Sequence, residues 1–181
     1  MVLIIDNLIL MNRFMAVASL VLALSACGSS SSQVDSNKTQ ITVAASFYPI
    51  EEIVRQVGGT HVNVVELTPA GQGAHDVQLT AKQLNVLSSA SAVFYISDGF
   101  QPEVEKAVAS LPGSVVPVDL LQSVTLLDVV AQLGGTEGET DGEVLASGKD
   151  PHVWLDPANM IAMTAAVADA LSQLSPEFST Q

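Results

Sequence analysis

The chain is 181 residues long and sets 19 Asp and Glu against 6 Lys and Arg, a formal net charge of −13. Such acidity argues against nucleic acid and against a basic membrane-docking face, while favouring the accumulation of cations. Cys27 is the single cysteine, so no disulfide forms within the chain, and an apolar content of 48% is ample for one core.

The N-terminal residues are read first. From Met11 the order is one positive charge at Arg13, an apolar run from Phe14 to Leu24, and small residues before Cys27. That is the layout of a secretory signal, and the run is shorter than the roughly 20 residues of a spanning helix. The residues before Met11 fit poorly, because Asp6 sits where a signal is positive. Met11 is therefore read as the true start, and residues 1–27 as a signal segment. Leu24-Ser25-Ala26-Cys27, followed by Gly28 and a run of serines, resembles the lipobox of bacterial lipoproteins. The resemblance implies a diacylglyceryl group on Cys27, with residues 28–40 as a flexible polar tether.

Ile41 to Ala45 is a short apolar run suited to a buried parallel strand. Ile50, Ile53, Val54 and Val57 fall at helical spacing, with Glu51 and Glu52 in the first turn and Gly58-Gly59 at the end. Val62 to Leu67 reads as a second strand running into the loop Pro69-Ala-Gly-Gln-Gly-Ala-His75. Thr80 can cap a helix carrying Leu84 and Leu87, and Ala92 to Ile96 is a third strand. Pro102 opens a helix with Val104, Ala107, Val108 and Leu111 on one face, stopped by Pro112-Gly113. Val115 to Val118 is a fourth strand, confined by Pro117 to an edge or a strand end. Gly134 to Gly148 is acidic and glycine-rich and reads as a surface loop. Asp156 then caps a helix with Pro157 at its first position and Met160, Thr164, Val167, Leu171 and Leu174 along one side. Alternating strands and helices imply an α/β fold, a four-stranded parallel sheet flanked by helices.

Ligands in such sheets bind beyond the carboxyl ends of the strands. His75 follows the second strand and His152 lies beyond the fourth, so both fall at that end. Neutral imidazole suits Zn²⁺ and related metals, but a separation of 77 residues is not itself a metal signature. Each histidine could equally be a surface or core residue. Asp76 could be a ligand, a partner of a histidine, or a cap of the following helix, the last being preferred. His61 is expected at an exposed strand edge and Trp154 in the core. The carboxylates of the acidic loop lack the spacing of a calcium loop. No phosphate loop, dinucleotide fingerprint or nucleophile elbow is present.

Three stretches carry a family resemblance. They are Ala44-Ala-Ser-Phe-Tyr-Pro-Ile50 with Gly58-Gly59, Pro69-Ala-Gly-Gln-Gly-Ala-His75-Asp76, and Asp150-Pro-His-Val-Trp-Leu-Asp-Pro157. Together they resemble the zinc- and manganese-binding lipoproteins of bacterial ABC transporters, with Ala74 where a proline is usual. The resemblance implies two α/β lobes joined by a linking helix, with the metal held between them. It also implies His75 and His152 as the first lobe's metal ligands. On that reading residues 41–181 are the N-terminal lobe, truncated near the start of the linking helix, and the second lobe is absent.

The implied function is not enzymatic. It is extracytoplasmic capture of a divalent metal, Zn²⁺ in preference to Mn²⁺, by a lipid-anchored monomer that delivers it to an ABC permease. Two imidazoles supply half of zinc's usual four ligands, so water must supply the rest and binding should be weakened. Imidazole binds metal only when neutral, so affinity is expected to fall below about pH 6.5. Three alternatives stand beside this: a manganese-binding member, a surface or adhesin-like fragment without transport activity, and a metal-dependent hydrolase built on His75, His152 and Asp156. The hydrolase would need a third protein ligand and a general base.

Overall fold

The structure, a computed structural model, describes residues 40–128 and 144–176. The signal segment, Cys27, the tether up to residue 39 and residues 129–143, which hold most of the acidic loop, lie outside the described residues; of the rest of that loop, Leu145 is buried in the core and not at the surface as expected.

Strand β1 (Ile41–Ala45) leads into helix α1 (Tyr48–Gly58), and β2 (Val62–Glu66) follows after a short 3-10 turn at Gly59–His61. Helix α2 (Ala81–Ser89), β3 (Ala92–Tyr95), α3 (Pro102–Val108) and β4 (Val116–Asp119) come next, and α4 (Pro157–Leu174) comes last. The strands form one sheet in the order β2-β1-β3-β4, and every pairing is parallel. This is the four-stranded parallel sheet expected from the alternation. Pro117 pairs with Val93 on edge strand β4, the position where a missing N–H disturbs no second neighbour.

Period-two alternation decides which side chain enters which core. Val43, Ala45, Ala92 and Phe94 point to one face, where they meet Ile50, Ile53 and Val54 of α1 and Met163, Val167 and Leu171 of α4. Ala44 and Val93 point the other way, to Leu87 of α2 and Val104 of α3. Both faces of the sheet are therefore covered, which is why the central strands β1 and β3 are mostly apolar, while the edge strands β2 and β4 admit Asn63, Glu66 and Asp119. Among the described residues no helix is long and apolar enough to cross a membrane.

Several details depart from the expected pattern. In α4 the buried seam runs through Met163, Val167 and Leu171, and Thr164 is exposed with its hydroxyl donating to the Met160 carbonyl at 2.7 Å. The hydroxyl satisfies itself on the helix backbone, so nothing draws it inward. Helix α3 stops at Val108, and Ser110 and Leu111 continue only as single turns. Gly58 closes α1, where an added Cβ would collide with the Val62 side chain, and Gly59 turns the chain at φ 51°. His61 is half-buried in the 3-10 turn rather than exposed at a strand edge.

Candidate metal centre

Four connections converge at the carboxyl end of the sheet. Phe47 follows β1, His75 lies in the loop after β2, Phe100 follows β3, and His152 and Trp154 lie beyond β4. Phe47, Phe100 and Trp154 pack ring to ring, with centroids 5.1 Å apart for Phe47–Phe100, 4.9 Å for Phe47–Trp154 and 5.4 Å for Phe100–Trp154. Each histidine ring rests on a different member of this cluster. The His75 ring lies 4.1 Å from that of Phe100 at 70°, and the His152 ring lies 5.2 Å from that of Trp154. Residues 77 positions apart in the chain are thus brought to one aromatic wall.

The loop bearing His75 is built from turns. Gln72 N–H donates to the Pro69 carbonyl at 3.0 Å and Asp76 N–H to the Gly73 carbonyl at 3.3 Å, with Gly71 at φ 85°. Beneath it, the Thr68 hydroxyl donates to the Ser46 carbonyl at 2.7 Å, fastening the end of β2 to the end of β1. Asp76 is exposed, and the cap of α2 is Thr80 instead, in a reciprocal capping box with Gln83. The preferred capping role of Asp76 is therefore wrong: α2 starts at Ala81, too far along the chain for it.

His152 is held by Asp150. One carboxylate oxygen accepts the His152 backbone N–H at 2.9 Å and the Nδ1 of the same residue at 2.8 Å. These two hydrogen bonds, backbone first, hold the Asp150 carboxyl below the usual carboxylate range. An ionised carboxylate has no proton to offer, so Nδ1 must donate. The neutral ring then carries its lone pair on Nε2, the nitrogen suited to a metal. Asp150 is itself anchored, since its N–H donates to the Leu127 carbonyl at 3.0 Å and the adjacent Lys149 pairs with Asp128. Asp98, in the left-handed region at φ 65°, accepts from Ser147 N–H and hydroxyl and fixes the same segment to the end of β3.

Asp156 caps α4 as expected, accepting from Ala158 N–H at 2.9 Å. Among the described residues no three His, Cys, Asp or Glu side chains gather closely enough to hold a metal. The hydrolase trio of His75, His152 and Asp156 is accordingly not assembled. Sequence reasoning missed Asp150 and the aromatic wall. The spacing Asp-X-His was a readable signal, because an Asp side chain readily accepts from the N–H two residues on. Trp154, expected in the core, does pack against it, half-buried, and also borders His152.

Comparison with known proteins decides the family. The family described as ZnuA, zinc-uptake complex component A, periplasmic, matches residues 43–181, more than half of the chain. The chain belongs to this family. It is 30% identical over 142 residues to the zinc-binding lipoprotein AdcA of Streptococcus pneumoniae, covering 76% of this chain and 28% of that protein. It is 30% identical over 149 residues to the high-affinity zinc uptake system protein ZnuA of Bacillus subtilis, covering 78% of this chain and 45% of that one. The crystal structure of the Zn(II)-bound ZnuA-like domain of S. pneumoniae AdcA superposes with a TM-score of 0.62 at 25% identity, over 78% of this chain and 47% of that one. The ZnuA-family chain described here thus spans less than half the length of these relatives.

Proposed function

We propose that this ZnuA-family chain captures Zn²⁺ on the outer side of the cytoplasmic membrane and passes it to an ABC permease, with His75 and His152 as its protein ligands. The observation that carries the proposal is that both imidazoles rest against members of one aromatic cluster, His75 on Phe100 and His152 on Trp154, with Asp150 setting His152 to offer Nε2. The zinc-binding names of the relatives support the choice of cargo. Two nitrogen donors also suit Zn²⁺ better than Mn²⁺, which favours oxygen. Water, or donors beyond the described residues, would complete the shell of four. The role is capture rather than catalysis, since the relatives are named for zinc binding and uptake.

We further propose that Cys27 is the lipid anchor and residues 28–40 the tether, which the lipoprotein name of the S. pneumoniae relative supports. Metabolic labelling with a fatty-acid probe should mark the chain and not its Cys27→Ala variant.

Zinc titration of the purified chain, followed by calorimetry beside His75→Ala and His152→Ala, tests the ligands. Each single variant should lose at least about tenfold in affinity, and excess Mn²⁺ should compete poorly. Wild-type affinity in either variant removes that histidine from the site.

A further inference from the structure

Beneath the His75 loop lies a polar side chain that the proposed zinc chemistry does not use. Gln101, the residue before α3, has 0% of its surface exposed, and its Oε1 has no hydrogen-bond partner. Position 101 is thus a costly place for an amide, because one buried acceptor is left unsatisfied there. The Nε2 end shows what the amide does. It donates to the Ala74 carbonyl at 2.8 Å, across 27 residues of sequence, and to the Thr68 hydroxyl oxygen at 3.2 Å. Thr68 in turn donates to the Ser46 carbonyl. A buried chain of hydrogen bonds therefore runs from the end of β1, through the end of β2 and the start of α3, to the residue immediately before His75.

The neighbouring contact completes the arrangement. Phe100 carries the His75 ring at 4.1 Å while Gln101 carries the Ala74 carbonyl, so one dipeptide grips another. Glu105 fixes the gripping pair, its carboxylate accepting from Gly99 and Gln101 N–H. We infer that Gln101 is a positioning residue for His75, holding the backbone ahead of it so that the imidazole is oriented before metal arrives. The inference rests on the reading of His75 as a ligand. Ala74 adds a reason for the grip: without a ring at this position φ is free, and a hydrogen bond to its carbonyl supplies the restraint that proline would.

The test uses the full chain. Gln101→Met keeps length and bulk but removes the donor. It should lower zinc affinity on the order of tenfold. In the metal-free protein it should also move the ring-proton resonances of His75, which Phe100 shifts by its ring current, and leave those of His61 in place. Ala74→Pro in the Gln101→Met background should recover both readouts, because the ring restrains the backbone ahead of His75 in place of the lost hydrogen bond. A merely structural role would not be rescued from that position. Wild-type affinity with unmoved His75 resonances in Gln101→Met would overturn the inference, as would lost affinity with those resonances unmoved. Should Gln101→Met fail to fold, Thr68→Val breaks the same hydrogen-bond chain one link earlier and is read in the same way. His75→Ala runs in parallel: if it binds zinc normally the ligand reading fails, while the metal-free His75 resonances still judge the grip.

Discussion

At the scale of single residues, Asp150 does the most with the least. One oxygen accepts two hydrogen bonds from His152 and so sets both the backbone turn and the tautomer of the ring. Replacing it with Ala should leave the fold intact, since the side chain is half-exposed and outside the core, but should free the imidazole to rotate. We expect Asp150→Ala to weaken zinc binding by about 10- to 100-fold, with the urea midpoint little changed; an unaltered titration curve would show that the contact is incidental. Asp150 was legible only in part. It stood inside the most specific of the three motifs, yet nothing in its spacing told a loop carboxylate from one that orients a ring. Phe100 and Gln101 were not legible at all, because their partners, His75 and Ala74, are brought beside them by the parallel sheet, which sets the ends of β2 and β3 on either side of β1, and not by any local pattern.

At the scale of elements, most boundaries followed from periodicity and caps. Thr80 and Asp156 stand where their hydroxyl and carboxylate meet unpaired helix N–H groups. Thr164, the one residue of the expected α4 seam that faces solvent, shows the limit of this reasoning. A helix rich in Ala and Met offers more than one apolar stripe, and the sheet beneath it chose Met163 over Thr164. One packing between elements carries a cost. Glu66, at the end of β2, has its carboxyl pushed up first by burial and then by the nearby charge of Glu51, with Arg55 only partly offsetting them. A carboxyl raised in the fold favours the neutral form there. Its contribution to stability is greatest below the ordinary glutamate range and is lost as pH rises through the raised value. Glu66→Gln should therefore raise the melting temperature at pH 7, and the gain should shrink as the buffer is taken down towards pH 4, near the ordinary glutamate value. A gain that grows with acidity would contradict the assignment.

At the scale of the whole molecule, metal and fold are linked. If zinc binds only the folded chain, a concentration of about 100 times Kd adds about 2.7 kcal/mol of stability, or roughly 5–10 °C for a domain of this size. A thermal melt with and without Zn²⁺ reads this directly. The shift should vanish in a His75→Ala/His152→Ala chain. An equal shift in that double variant would assign the metal to other groups, for instance to the many carboxylates of this acidic chain.

The residues alone determined the α/β class, the four strands, the restriction of β4 by Pro117 to an edge or a strand end and the two histidines worth following, because each depends on short-range periodicity, on proline geometry or on a contiguous motif. Only the tertiary structure decided that the His75 ring rests on Phe100, that Trp154 joins the same aromatic cluster and that the Gln101 amide reaches the His75 loop. Those contacts join segments tens of residues apart, and they exist only once a parallel sheet has carried the ends of all four strands to one side.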